Sequence, residues 1–169
     1  MRIVVSDSSC LIDLRKVSML ELLLRLPYEF LMPNTLFEEE LLKFTAAQKK
    51  TLVRGGLKVV DLPGERVLRA QAIVRELPRL SVHDGFAFAL AESHPDCILL
   101  SGDDRLRTLA DQHDIEVHGV LWVLDQLHAN RLTSAPAILN VLQVFLEDTT
   151  VHLPRRELAA YIKRYESLK

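Results

Sequence analysis

Five short apolar runs lie between the N-terminus and about residue 120, and segments with helical periodicity separate them. Runs of this length, rich in valine, isoleucine and leucine, are typical of strands buried on both faces. Alternation of such strands with helices predicts an α/β fold with a central parallel sheet covered by helices. The runs are RIVVS, YEFLM, LKVVDL, CILLS and IEVHGV.

Capping residues and prolines indicate where several helices begin. Pro33 and Asn34 favour the start of a helix that continues through TLFEEELLKF. Ser81 favours the start of the helix VHDGFAFALAESH. CLIDLRKV, MLELLLRL and ERVLRAQAIVREL are also predicted helical, as is the chain from LWVLDQLHANRL onward, with breaks near Pro136 and Pro154.

The length of 169 residues suits one compact domain, and no internal repeat or low-complexity linker interrupts the sequence. We expect a main domain over residues 1–132. Residues 133–169 follow the last predicted strand, so we expect them to form a C-terminal helical extension packed on the same domain.

Composition narrows the classes of function. The net charge of −2 gives no overall basic character, so binding to nucleic acid would need a local basic patch. Cys10 and Cys97 are too few and too far apart for a disulfide framework or a zinc site. No apolar run has the length of a membrane helix and no signal peptide is evident, so we expect a cytoplasmic protein that does not contact a membrane.

Acidic residues follow two of the predicted strands. Asp7 comes after the first strand, and Asp103 and Asp104 come after CILL. In open α/β sheets, ligands bind outside the carboxyl ends of the strands, near the point where the strand order reverses. Asp7 and Asp103 are therefore candidates for one cleft.

Two predicted helices add further acidic candidates. Asp84 lies on a helix whose other faces are mostly apolar. In the run Glu38–Glu40, a helical wheel points Glu40 inward more than its two neighbours. A carboxylate on an apolar face is unfavourable unless it is paired or bound to a metal ion.

Carboxylates that converge repel one another, and a divalent cation relieves that repulsion. Mg²⁺ and Mn²⁺ favour oxygen ligands and can activate water for in-line phosphoryl displacement. The sequence lacks the GxSxG, P-loop, GxGxxG and HExxH motifs of other common enzyme classes.

Four segments resemble the PIN-domain ribonucleases, and among them the VapC-type toxins and related bacterial PIN proteins. They are VVSDSSCLIDL, MPNTLFEEELL, LSVHDGFAFALA and LLSGDDRLRTLA, in the order found in that family. Residues 115–127 also look like the last strand and following helix of the family.

This resemblance implies a PIN-like three-layer α/β/α sandwich with a central parallel sheet. It implies that Asp7, Glu40, Asp84 and Asp103 form the acidic set that binds Mg²⁺ or Mn²⁺ and hydrolyses RNA phosphodiester bonds. The spacing from Pro33 would favour Glu39 in place of Glu40, and Asp104 is the alternative to Asp103.

VapC-type toxins commonly form homodimers and are neutralised by a small antitoxin protein, so the resemblance also implies these partners. The long tail after residue 133 weakens the toxin assignment more than the nuclease fold. The competing hypothesis is a partner-binding module without catalytic activity, in which Asp7 and Asp103 cap helices and the other acids are solvated.

Overall fold

The computed structural model of the chain describes residues 1–168. Lys169, the last residue of the expected extension, lies outside the described residues. The strands form one parallel sheet in the order β3-β2-β1-β4-β5. They are β1 (Arg2–Ser6), β2 (Tyr28–Pro33), β3 (Lys58–Val60), β4 (Ile98–Leu100) and β5 (Glu116–His118).

Helices connect the strands and cover the sheet. Within the described part of the chain they are α1 (Ser8–Lys16), α2 (Leu20–Leu23), α3 (Asn34–Glu39), α4 (Ala46–Arg54), α5 (Gly64–Glu76), α6 (Val82–Glu92), α7 (Asp104–Gln112), α8 (Val120–Ala129), α9 (Ala135–Glu147) and α10 (Arg155–Ser167). Helices α1, α2, α8, α9 and α10 form one connected group, and α3, α5, α6 and α7 form another. The three-layer α/β/α architecture expected from the sequence is therefore confirmed.

Strand β1 lies at the centre of the sheet, where the strand order reverses. Val5 on β1 aligns with Leu31 on β2 and with Leu99 on β4. All three side chains are buried, because helices cover both faces of the central strands. The carboxyl ends of β1 and β4 therefore meet at the switch point where α/β proteins commonly bind ligands.

The C-terminal helices contribute to the same hydrophobic core as the sheet. Ile138, Leu142 and Phe145 of α9 are buried in that core, and so is Tyr165 of α10. The Tyr165 hydroxyl donates a hydrogen bond of 2.6 Å to Oδ1 of Asp125 on α8. The division between a main domain and an extension remains a prediction, since the two parts share this core.

Three helices differ from the sequence prediction. Helix α3 ends at Glu39 rather than continuing through Phe44, and α2 is only four residues long. Helix α4 was not predicted, although Thr45 and Gln48 form a capping box at its start, with Thr45 accepting from the Gln48 N–H at 3.1 Å. Leu52 is the buried residue of this helix, so the segment has little apolar periodicity from which a helix could be predicted.

Within residues 1–168, no helix is both long enough and apolar enough to cross a membrane.

Candidate active site

Asp7 lies at the carboxyl end of β1 and is almost completely buried, with 3% of its surface exposed. Its backbone N–H donates to the Leu100 carbonyl at 3.0 Å, which holds the ends of β1 and β4 together. Its Oδ1 accepts from the Ser9 backbone N–H at 3.0 Å and from the Ser9 hydroxyl at 2.7 Å. Asp7 thus caps α1 while its carboxylate sits at the switch point of the sheet.

The environment of Asp7 disfavours its charged form. Burial raises the pKa of Asp7 to about 7, against the lowering effect of hydrogen bonds from Ser101 and Ser9. The negative charge of Asp84 also raises the pKa of Asp7, so these two carboxylates lie within electrostatic reach of each other. An ordinary helix cap does not need this burial, and buried acids with raised pKa values cluster at functional sites.

A turn after β4 connects Asp7 to Asp103. The Ser101 hydroxyl donates to Oδ2 of Asp7 and accepts from the Asp103 backbone N–H at 3.1 Å. The Gly102 N–H donates to the Ser9 hydroxyl at 2.9 Å. These bonds fix the β4–α7 turn against the start of α1, and so fix Asp103 relative to Asp7.

The two adjacent aspartates have different surroundings. Asp103 is half-buried and caps α7, with its Oδ1 accepting from the Leu106 N–H at 3.0 Å. Asp104 is exposed in the first turn of α7, where the helix dipole favours negative charge. Asp104 thus lies in the N-terminal turn expected for it, and the assignment of metal binding to Asp103 stays a prediction.

Asp84 lies in the first turn of α6 and forms a capping box with Ser81. Its Oδ2 accepts from the Ser81 N–H at 3.3 Å, and its own N–H donates to the Ser81 hydroxyl at 3.0 Å. Burial raises the pKa of Asp84, and the charges of Asp103 and Glu40 raise it further. Asp84 therefore interacts electrostatically with each of the other three carboxylates.

Glu40 follows the last residue of α3 and turns toward the start of α1. Its Oε1 accepts from the Ser8 hydroxyl at 2.8 Å. The exposed fraction of the Glu40 side chain is 30%, against 61% for Glu39. The inward orientation expected for Glu40 is present, although it results from the end of α3 and not from a continuing helical face.

His83, in the first turn of α6, contacts both Glu39 and Glu40. Its Nε2 lies 2.6 Å from Oε2 of Glu39, and its Nδ1 lies 3.8 Å from Oε2 of Glu40. The bond from Ser8 to Glu40 is likewise not predicted by the sequence. Neither contact has a local sequence signal, because each joins segments that are distant along the chain.

The four predicted acids are linked through Asp84, whose charge raises the pKa of Asp7 and whose own pKa is raised by the charges of Asp103 and Glu40. Among residues 1–168, no group of three or more histidine, cysteine, aspartate or glutamate side chains is placed to hold a metal ion. Asp7 and Asp103 cap helices through Oδ1, yet Oδ2 of Asp7 accepts a single hydrogen bond and Oδ2 of Asp103 accepts none within residues 1–168, so both Oδ2 atoms retain lone pairs.

A family model described as a PIN domain matches residues 3–167. The chain belongs to the PIN domain family. PIN domains are generally nucleases and generally use divalent metal ions, which accords with a cleft lined by carboxylates. No curated protein matches the chain.

The side chains of this PIN domain fit a hard divalent cation by their chemistry. The cleft offers only oxygen donors among its four acids, and the raised pKa of Asp7 records the repulsion and desolvation that a cation would offset. Mg²⁺ usually retains several water molecules, so it needs few direct protein ligands. The ligand set Asp7, Glu40, Asp84 and Asp103 stays a prediction, since no three such side chains within residues 1–168 are placed to hold an ion together.

Proposed function

We propose that the protein is an endoribonuclease that depends on Mg²⁺ or Mn²⁺ and hydrolyses phosphodiester bonds in RNA. The observation that carries this proposal is the buried Asp7, whose carboxylate is within electrostatic reach of Asp84, which in turn senses Asp103 and Glu40. The PIN family supports nuclease activity in general, and the choice of RNA rests on the resemblance to PIN ribonucleases.

The residues of the cleft have distinct roles in this proposal. When bound, the divalent ion supplies positive charge for the phosphate and lowers the pKa of a water molecule. Asp7 and Asp103 hold their carboxylates at the switch point through the bonds that Ser9, Ser101 and Leu106 donate. Because capping bonds fix both side chains before substrate arrives, little reorganisation is needed during the reaction.

Asp84 lies in the first turn of α6, and Glu40 follows the last residue of α3. Each is partly exposed, so each can accept a hydrogen bond from water. We assign to them the orientation of the attacking water and the acceptance of its proton. The Ser8 hydroxyl restricts the Glu40 carboxylate to the side of the cleft next to α1.

We also propose that the enzyme is the toxin of a toxin–antitoxin pair, with a small antitoxin protein and a second copy of this chain as partners. The toxin role, the antitoxin partner and the homodimer are all proposed from the resemblance to VapC-type toxins alone. A homodimer and an antitoxin complex would both be visible as discrete masses when the protein is purified together with the product of its neighbouring gene.

Cleavage of an RNA pool by the purified protein tests the proposal. We expect cleavage with Mg²⁺ or Mn²⁺, none with EDTA, and a loss of at least about a hundredfold in Asp103→Asn. Asp104→Asn is the matched control, because it removes the same charge one residue away, and it should retain most of the activity. Equal activity of both variants would overturn the site assignment.

The competing function is a partner-binding module without catalysis. The capping roles of Asp7 and Asp103 favour it, because capping alone would account for aspartate at both positions. It predicts no cleavage of any RNA and no binding of divalent ions. Capping does not account for the burial of Asp7, which is why we favour the nuclease.

A further inference from the structure

A large cavity extends from the candidate active site along α1 to the α9–α10 connection. Its volume is about 1540 Å³, which exceeds that of most pockets for small ligands. Ser9, Gly102 and Asp103 line the end next to the active site. His152 and Tyr161 line the far end, so the C-terminal helices form one wall of the cavity.

Arg107 lies in this cavity, four residues after Asp103 on α7. Residues four apart on a helix share a face, so Arg107 and Asp103 both face the cavity. Within residues 1–168, no ion pair or side-chain hydrogen bond involves the Arg107 guanidinium. A half-buried guanidinium without an anionic partner, next to a site for phosphate chemistry, favours a phosphate ligand.

The guanidinium of Arg107 lies next to Gly119, which has no side chain. A Cβ atom at residue 119 would lie 3.1 Å from Nη1 of Arg107. The φ angle of Gly119 is −110°, which any residue can adopt, so the backbone conformation does not require glycine here. A side chain at residue 119 would therefore shift the guanidinium by a few tenths of an ångström.

The rest of the cavity limits where a phosphate can bind. Asp13 and Lys16 pair with each other at 3.7 Å, so Lys16 offers no free charge. Arg105 also lines the cavity, but its guanidinium donates to the Arg79 carbonyl at 3.2 Å. Arg107 is thus the cationic side chain of the cavity whose donors are unused within residues 1–168, although the carboxylates of Asp103 and Asp111 lie on the same helix face.

Aromatic rings lie beside Arg107 in the same cavity. The His118 ring stacks on Trp122 with ring centres 4.6 Å apart and ring planes within 4°. Both residues line the cavity, and the His118 side chain is 31% exposed. Proteins bind unpaired bases by stacking them on such rings, whereas bases within a duplex are not accessible.

We propose that Arg107 binds a phosphate next to the scissile one and so guides single-stranded RNA from the active site into this cavity. The inference rests on the proposed ribonuclease function and assigns a substrate-binding residue to it. Arg107 contacts the phosphate through its planar fork of N–H donors, and His118 offers a ring face to the adjacent base. The C-terminal helices form the outer wall of the path of the strand.

RNA binding without metal tests this inference separately from catalysis. A short labelled single-stranded RNA is titrated with the protein in EDTA at several salt concentrations. We expect Arg107→Ala to weaken binding about tenfold or more. It should also reduce the slope of log K against log salt by about 0.7, the value for one phosphate contact on a single strand.

Three matched variants complete the experiment. Arg156→Ala removes an exposed arginine on α10 that does not line the cavity, and it should change neither affinity nor salt slope. Arg107→Lys should keep the salt slope and lose part of the affinity, because the charge remains and the fork is lost. Gly119→Ala keeps every charge and moves the guanidinium by only a few tenths of an ångström, so it should weaken binding less than Arg107→Ala does.

The possible outcomes are distinct. Unchanged affinity and salt slope in Arg107→Ala, in a protein that cleaves RNA, would overturn this inference and leave the ribonuclease function standing. A wild-type protein that neither binds nor cleaves RNA would overturn both. Equal losses in Arg107→Ala and Arg156→Ala would show nonspecific attraction and would also overturn the assignment of Arg107. If Arg107 instead bound a protein partner in preference to RNA, its assignment as an RNA-binding residue would also be overturned.

Discussion

Asp7 is the residue at which stability and function oppose each other most clearly. Its burial raises the pKa to about 7 from the usual 3.8, so holding it ionised costs folding free energy. The bonds from Ser9 and Ser101 recover only part of that cost. A residue retained under these conditions is typical of an active site, where a bound cation would offset the charge.

Asp7→Asn should stabilise the protein in the absence of metal. Between about pH 4 and pH 7, the folded protein retains a proton on Asp7 that the unfolded chain releases, so stability falls as the pH rises. Asparagine removes that loss, and the shift of the pKa from 3.8 to about 7 corresponds to a gain of about 4 kcal/mol at pH 8 and almost none at pH 4. Urea unfolding at both pH values measures the difference.

Asp61→Asn is the control for this stability measurement, because Asp61 is exposed in the connection between β3 and α5. It should leave the pH dependence of unfolding unchanged. If Asp7→Asn is instead less stable than the wild type at pH 8, then Asp7 serves mainly as a structural cap.

A matched pair of glutamine substitutions distinguishes Glu40 from Glu39. Glu40 is bonded to Ser8 and affects Asp84, whereas Glu39 is mostly exposed and contacts His83. We expect Glu40→Gln to reduce kcat for RNA cleavage by about tenfold to a hundredfold, and Glu39→Gln by less than about threefold. The reverse order would favour the alternative assignment of Glu39.

At the scale of elements, the sequence predicted all five strands, because each is a short apolar run between turn signals. It was less successful for α3, whose apolar spacing extends past the true end at Glu39. Side-chain spacing cannot show that Leu41 and Phe44 reach the core from a turn rather than from a helix. The four acids could be named from their places after strands and on helices, whereas their contacts with Ser8 and His83 depend on tertiary packing.

Helix α4 provides a test at this scale. Thr45→Ala removes the side chain that accepts from the Gln48 N–H, and loss of such a cap costs about 1 kcal/mol. We expect this decrease in urea unfolding with no change in RNA cleavage, since α4 does not contribute to the candidate site. Thr51→Ala, a threonine substitution within the same helix, should have a smaller effect.

At the scale of the whole molecule, the C-terminal helices are joined to the rest by a buried tyrosine and a shared core. Tyr165 is 2% exposed, and both its hydroxyl and the Arg164 guanidinium bond to Asp125. The sequence suggested an extension because no strand follows residue 118, but it did not reveal these contacts. The C-terminal helices α9 and α10 therefore belong to one of the helical layers of the sandwich and share its hydrophobic core.

Truncation after residue 132 should therefore abolish cooperative folding. It would uncover α8 and the core that Ile138, Leu142 and Phe145 complete. We expect the truncated chain to lack a single sharp unfolding transition in calorimetry, whereas the full chain shows one. A truncated protein with a sharp transition would show that residues 1–132 are an independent domain.

The most direct test of the account is Mn²⁺ binding by calorimetry, with wild-type protein and Asp7→Asn at about pH 8 and pH 6. We expect binding in the wild type that weakens about tenfold at the lower pH, because Asp7 must release its proton to bind the ion. Asp7→Asn should show almost no binding at either pH. Absence of binding to the wild type, or equal binding to both proteins, would contradict a metal-dependent site built around Asp7.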